Sequence, residues 1–137
     1  MTRRVNRGDV IIRPIARSDA SVWEALRRDL WPECAGDHPT EIAMFFAGRL
    51  TEPVAVLVAE CPPGMIAGFA ELSIRDDLPG QEGQRVGYVE GLYLRPEVRH
   101  RGIALRLLQA SRTWARQHKC TAFASDRADR IIIDRRY

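Results

Sequence analysis

Apolar residues in this chain fall into short runs and amphipathic stretches, and the period of each predicts an element. Val10-Ile11-Ile12-Arg13-Pro14-Ile15 predicts a first strand closed by Pro14. Val22, Trp23, Leu26 and Leu30 recur at helical spacing, with Ser18 or Asp19 suited to the N-cap and Pro32 ending the run. Pro39-Thr40-Glu41 opens a second helix through Arg49, with Ile42, Phe45, Phe46 and Leu50 facing inward. Val54 to Glu60 predicts a strand, Pro62-Pro63-Gly64 a turn, and Met65 to Arg75 the antiparallel return. Asp76 to Gln84 is polar and contains Pro79-Gly80 and Gly83, so it predicts a loop. Arg85 to Arg95 predicts a fourth strand. Arg101 to Lys119 is the longest helical pattern, with Ala104, Leu107, Leu108, Ser111, Trp114 and Ala115 on one face, and Thr121 to Ser125 predicts a fifth, short strand. A meander of strands followed by a strand–helix–strand crossover is the pattern of a mixed α/β (α+β) sheet flanked by helices.

With 137 residues, 45% hydrophobic and 28% charged, the chain reads as one ordinary globular domain. The net charge of +3 sits largely in the tail: Arg127, Arg130, Arg135 and Arg136 face only Asp129 and Asp134 there. Of the chain's 21 basic and 18 acidic residues, that leaves 17 and 16 in residues 1–126, a nearly neutral body. No basic stripe with interleaved aromatics is present, so no nucleic-acid partner is expected. Cys34, Cys61 and Cys120 are odd in number and widely spaced, and His38, His100 and His118 have no ligand spacing relative to them. Free thiols in a reducing cytoplasm and no metal site are expected. The start, MTRRVNRGD, lacks the apolar segment of a leader, and no apolar run reaches membrane-spanning length, so no membrane association is expected.

The informative stretch is Val89 to Ala104. A strand runs into a tight basic turn, and a helix begins at Gly102. First-turn N–H groups of a helix have no intrahelical acceptors, and with the helix dipole they suit a phosphate or pyrophosphate. Gly102 permits close backbone approach, and Arg99 and Arg101 bring positive charge. An ordinary strand-to-helix turn with solvated arginines has the same spacing.

Arg99-x-x-Gly102-x-Ala104, following a strand of this type, resembles the acyl-CoA signature of the GNAT N-acetyltransferase superfamily, and Ile12-Arg13-Pro14 is a common companion. Leu30-Trp31-Pro32, Gly68-Phe69-Ala70, Ser73-Ile74-Arg75, Val89-Glu90-Gly91, Trp114-Ala115 and Ala124-Ser125-Asp126, in that order over residues 10–126, are together similar to the aminoglycoside 6′-N-acetyltransferases. The resemblance implies a GNAT-like, mostly antiparallel mixed sheet. It implies acetyl-CoA as cosubstrate, held along Leu92, Tyr93 and Leu94 and by Arg99, His100, Arg101, Gly102, Ile103 and Ala104. It also implies acetyl transfer to the 6′-amine of an aminoglycoside antibiotic, a small polycationic amine. A polyamine or a protein N-terminus is the alternative acceptor, and a non-catalytic remnant is the alternative outside the enzyme class.

A polycation calls for carboxylates. Glu90, between Val89 and Gly91 in an apolar strand, has solvent-facing exposure as its commonest fate. The resemblance implies a catalytic role for it instead, as a general base acting directly or through water, since an ammonium must lose a proton before it attacks a thioester. Asp126 suits a turn cap by position; the resemblance implies that it contacts the reacting amine and helps to deprotonate it. Trp31 suits core packing, while the resemblance implies stacking against the antibiotic. Asp76, Asp77 and Glu82 are loop acids whose commonest fate is plain solvation; the alternative is that they add negative potential for a cation, Asp76 and Asp77 being the substrate-binding candidates. Near Leu78 the family often carries an aromatic that is missing here. Trp23 and Trp114 are expected in the core.

After Ala124-Ser125-Asp126 the resemblance stops. Enzymes of this type continue with a fourth helix and two more strands, including an Asn, a His-x-x-Leu-Gly-Phe segment and a tyrosine suited to protonate the leaving thiolate. Here the chain reads Arg127-Ala128-Asp129-Arg130-Ile131-Ile132-Ile133-Asp134-Arg135-Arg136-Tyr137. The expectation is an incomplete domain over 1–126 and an atypical tail over 127–137, from truncation or frameshift. The alternative is a divergent tail with one short strand through Ile131 to Ile133. Loss of the usual cover would expose an edge on the fifth strand, which a homodimer would mask.

Overall fold

The computed structural model describes residues 9–127 and 130–137. The start read above as lacking a leader falls mostly outside the described residues, as do Ala128 and Asp129 of the tail. β1 (Ile11–Pro14) is followed by α1 (Ala20–Leu30) and α2 (His38–Phe46). β2 (Ala55–Glu60), β3 (Ile66–Arg75) and β4 (Val86–Leu94) then form an antiparallel meander with β1 on its edge. α3 (Ile103–Gln117) crosses over to β5 (Ala122–Arg127), which pairs parallel with β4, and β6 (Arg130–Ile133) returns antiparallel on β5. The spatial order of the sheet is therefore its chain order, β1 to β6.

The central strands are apolar at nearly every position because both sheet faces are covered. Val56, Val58 and Phe69 pack with Trp23, Leu26 and Ile42 under α1 and α2. Leu57, Ala59, Ala70 and Leu72 pack with Ile103, Leu107 and Ala115 of α3 on the other face. Trp23 is buried and Trp114 packs against the α3-side core, both as expected. Leu78 is also buried, with Val86, Tyr88 and Ala124.

Two local expectations give way. The second helix ends at Phe46 rather than Arg49, because Gly48 turns left-handed (φ 72°). Asp19 sits before α1 without capping it: its carboxylate accepts the Ala16 N–H at 2.7 Å and is gripped by Arg13 at 2.8 and 3.1 Å.

The tail builds onto the sheet. Ser125 lies opposite Ile132 and Asp126 opposite Ile131, so pairing continues across position 126. Asp134 donates its N–H to the Phe123 carbonyl at 2.8 Å and pairs with Arg112 at 2.5 Å. Tyr137 stacks on Phe123 with 5.7 Å between centroids and donates its hydroxyl to the Cys120 carbonyl at 3.0 Å. β5, expected as an uncovered edge, thus has a strand partner. Ile131 and Ile132 on β6 remain 42% and 44% exposed. Three consecutive isoleucines lack a period of two, so the pattern alone does not reveal which of them face in.

Candidate active site

A break in the alternation of β4 organises the site. Glu71 pairs with Gly91 while its neighbour Leu72 pairs with Val89, so Glu90 is an extra residue with no partner on β3. Such a bulge puts two successive side chains on one face. Val89, Leu92 and Leu94 pack into the core on the α3 side. Gly91 lies under Trp31, and Glu90 opens onto a cleft lined by the same indole. Beside this bulge β4 also loses β5: their pairing ends at Val89 opposite Ser125. From Glu90 to Leu94 the β5-facing backbone of β4 has no strand partner among the described residues.

Along that parted stretch runs a cleft of about 470 Å³ lined by Asp29, Leu30, Leu92, Tyr93, Leu94, Arg99, His100 and Ala104. Six of the expected cosubstrate residues therefore share one groove. Its far end is the turn into α3, folded by two left-handed residues, His100 (φ 65°) and Gly102 (φ 77°). The hydrogen bond from Arg106 N–H to Gly102 O is the first of the helix, at 3.2 Å, so the preceding N–H groups of Ile103, Ala104 and Leu105 have no helical acceptor. A side chain at Gly102 would meet only open space, which leaves the turn room for a pyrophosphate. Arg101 is exposed beside it. Arg99 is drawn back to the strand end, its Nε donating to Leu94 O at 2.9 Å and its guanidinium lying 5.4 Å from the Tyr93 ring centroid. The Ile103 side chain is buried in the core, so only its main chain faces the groove side of the turn.

A second cleft, of about 250 Å³, adjoins the first across Leu30, Trp31 and Gly91. Its walls are Arg27, Trp31, Cys34, His38, Glu41, Glu52, Glu71 and Glu90. Arg27, 5% exposed, organises the inner wall: it grips Glu71 at 2.7 and 3.2 Å, pairs with Glu41 at 2.6 Å and lies 5.2 Å from the Trp31 ring. It also meets His38 Nδ1 at 3.1 Å. A guanidinium only donates, so Nδ1 accepts and Nε2 carries the hydrogen that bonds Trp31 O at 3.1 Å. Burial pushes the Glu71 carboxyl up, while Arg27 and the Trp23 N–H, 3.0 Å away, oppose it. Toward the outside, Arg75 holds Glu90 through both carboxylate oxygens at 3.0 and 2.9 Å and reaches Glu52 at 3.5 Å. Four carboxylates against these two guanidiniums leave two negative charges, a setting for a cationic ligand.

Asp126 lies outside this lining. It is exposed at the end of β5 and accepts the Tyr88 hydroxyl at 2.5 Å. Burial and that carboxylate push the Tyr88 phenol well above its usual range. The Arg75 guanidinium sits 4.5 Å from the Tyr88 ring, so Glu90 and Asp126 are joined through one guanidinium and one phenol. Asp76 and Asp77 are exposed in the loop after β3 and neither lines the cleft; the charge of Asp76 acts on the Cys120 thiol at the far end of α3. The acidic walls Glu41, Glu52 and Glu71 were missed by the sequence reading. Glu71 had a signal: a lone acid at the alternate position to Phe69 in an otherwise apolar strand needs a buried partner.

No group of three His, Cys, Asp or Glu side chains among the described residues is placed to hold a metal ion, and no described helix is long and apolar enough to cross a membrane. Residues 22–131 match the acetyltransferase (GNAT) family. The chain is 40% identical over 117 residues to an aminoglycoside N(6')-acetyltransferase type 1 of Klebsiella aerogenes, spanning 85% of this chain and 77% of that one. It is 38% identical to the protein of the same name from Acinetobacter baumannii, over 85% of this chain and 79% of that one. Among solved structures, the aminoglycoside antibiotic 6'-N-acetyltransferase AAC(6')-Ih from Acinetobacter baumannii superposes with a TM-score of 0.76 at 35% identity, covering 88% of this chain and 80% of that one. AAC(6')-Iy, solved in complex with the bisubstrate analogue CoA-S-monomethyl-acetylneamine, superposes at 0.77 and 28% identity over 88% of this chain and 80% of its own. With a six-stranded mixed sheet parted between β4 and β5 and a match over most of its length, the chain belongs to the acetyltransferase (GNAT) family.

Proposed function

We propose that this acetyltransferase moves the acetyl group of acetyl-CoA to the 6′-amine of aminoglycoside antibiotics. The observation that carries the proposal is the pairing of the groove along Leu92–Leu94 with an acidic, tryptophan-walled cleft one residue away, the bulged Glu90 opening onto the latter. Aminoglycosides are polycations with flat-sided sugar rings, and such a cleft complements both properties. The relatives named above support the same acceptor.

Acetyl-CoA supplies the activated acetyl thioester. The chain's own residues divide the remaining work. Between Leu92 and Leu94 the main-chain groups that face away from β3 have no strand partner, Leu94 O being taken by Arg99, and an N–H on that side is the donor for the acetyl carbonyl oxygen. The turn His100–Ala104 holds the pyrophosphate with helix N–H groups, and Arg99 and Arg101 add charge. Trp31 gives a sugar ring its apolar wall, and Glu90 orients the amine and takes its proton directly or through water. Asp126 assists from the β5 side, and Asp76 and Asp77 add negative potential on the approach. Residues 1–126 carry both clefts in this reading, and the tail from 127 completes the sheet. The enzyme is cytoplasmic and acts without a nucleic-acid or membrane partner. It pairs as a homodimer, for which the exposed Ile131 and Ile132 of β6 are the support.

The test is release of free thiol from acetyl-CoA with three acceptor classes: an aminoglycoside, a polyamine and a peptide bearing a free N-terminus. Release with the aminoglycoside alone supports the proposal. Faster release with either of the others overturns the acceptor assignment.

A further inference from the structure

We infer that Arg75 is a positioning residue for the acceptor amine: it holds the Glu90 carboxylate at the mouth of the acidic cleft and links it to Asp126. The inference rests on the acetyltransferase reading above and concerns a side chain to which that reading gives no task. Glu90 occupies the bulge of β4, where no cross-strand neighbour on β3 restrains its main chain. Its orientation is instead set by a fork: Arg75 Nε meets Oε1 at 3.0 Å and Nη2 meets Oε2 at 2.9 Å. A two-pronged contact between planar groups specifies direction as well as distance, and leaves the outer lone pairs of the carboxylate for a ligand.

Arg75 is in turn held on three sides. Beyond Glu90, its guanidinium lies over the ring of Tyr88, 4.5 Å from the centroid, and its Nη2 reaches Glu52 at 3.5 Å. Tyr88 is itself only 2% exposed and is tied to Asp126 through its hydroxyl at 2.5 Å. Arg75, though 26% exposed, is therefore a built part of the site and not a stand-in cation that a substrate ammonium pushes away. Both carboxylates proposed to meet the amine hang on this one guanidinium, Glu90 directly and Asp126 through Tyr88. Lys in its place would keep the charge and lose the fork.

The experiment is a double-mutant cycle read by steady-state kinetics on the full chain. Arg75→Met is expected to raise the aminoglycoside KM about tenfold, the worth of one lost charge-assisted contact, with the acetyl-CoA KM unchanged and kcat falling less. Arg75→Lys should recover part of the loss. In a Glu90→Gln background, Arg75→Met should change KM by less than about threefold, since the carboxylate it holds directly is gone and only the link through Tyr88 to Asp126 remains. Wild-type turnover with an Arg75→Met KM within about twofold of it overturns the inference alone. A lower KM in Arg75→Met would make Arg75 a competitor of the substrate and overturns it too. If Arg75→Met fails to fold, Arg75→Lys with an unchanged KM is the overturning result. A wild-type chain that neither turns over nor binds neamine by calorimetry removes the functional reading itself, and this inference with it.

Discussion

Gly91 lies directly beneath the indole of Trp31: a Cβ at position 91 would stand 2.5 Å from Cζ2 and 2.6 Å from Cη2. The tryptophan wall of the acidic cleft can approach the strand only because that residue has no side chain. Gly91→Val must push Trp31 outward, since the neighbouring backbone is held in the sheet. The expected result is an aminoglycoside KM raised about tenfold or more, with acetyl-CoA affinity within about twofold of wild type. Steady-state kinetics in both substrates checks the split.

Gly102 tests the other groove. Its φ of 77° disfavours any side chain, and the space beyond it is open. Gly102→Ala should cost about 1 kcal/mol of stability from backbone strain and leave room for the cosubstrate. Gly102→Glu adds a negative charge at the turn proposed to hold the pyrophosphate and should abolish acetyl-CoA binding by calorimetry. Equal affinity in all three chains would remove the assignment of the turn.

Much of this was legible in the sequence where one physical rule acts alone. The apolar stripe of α3 shows because the helix packs on a single sheet face, while the strand–turn–glycine order marks the turn at Gly102 and only the resemblance extended it to groove residues from Leu92 to Ala104. The bulge at Glu90 was not read, although its mark is present: Val89 and Leu92 are three apart yet face the same core. The acidic cleft was hidden because Glu41, Glu52, Glu71 and Glu90 come from separate segments that only the sheet and α2 bring together. Asp76 and Asp77 looked suitable by charge, but a loop beyond a strand end has no periodicity to say which way it folds. The tail was legible only as an alternative, one short strand through Ile131 to Ile133, which the structure has as β6; its docking is specified by β5 and by Asp134 and Tyr137 on Arg112 and Phe123, contacts that a local pattern does not encode.

The inner ion pair offers a stability test. Arg27 and Glu71 are 5% and 1% exposed, and each is the other's main counter-charge. Arg27→Met leaves a buried carboxylate without its cation and should cost about 3 to 5 kcal/mol. Arg27→Met with Glu71→Leu should recover most of that, because an apolar pair of similar volume removes the uncompensated charge. Thermal unfolding of the wild type and the two variants gives the comparison. The double variant keeps the net charge of the cleft but loses the contacts by which Arg27 fixes Glu41, His38 and Trp31, so its aminoglycoside KM should still rise.

Acid sensitivity should trace to Arg13. This guanidinium bonds Asp19 and Glu60, and holds both carboxyls below their ordinary values of 3.8 and 4.5. A carboxyl depressed in the folded state stabilises it fully above the unfolded value, and that stabilisation is lost as pH falls through the folded one. The wild type should therefore lose stability as pH drops below about 4.5. Arg13→Met should be less stable at neutral pH by about 1 to 2 kcal/mol, with the difference shrinking on acidification. Denaturant unfolding between neutral pH and pH about 3 reads both slopes. A difference that stays constant across that range would show that Arg13 contributes through packing and not through these two carboxyls.

Transfer to the 6′-amine is measured with two aminoglycosides that differ at one heavy atom, a 6′-amine in one and a 6′-hydroxyl in the other. Thiol release from acetyl-CoA is followed with each at equal concentration, and the product is mapped by mass spectrometry and NMR. Acetyl transfer to the 6′-nitrogen of the amine congener, with no release above background for the hydroxyl congener, is the predicted result. Equal release from both, or acetylation at any other amine, would contradict it.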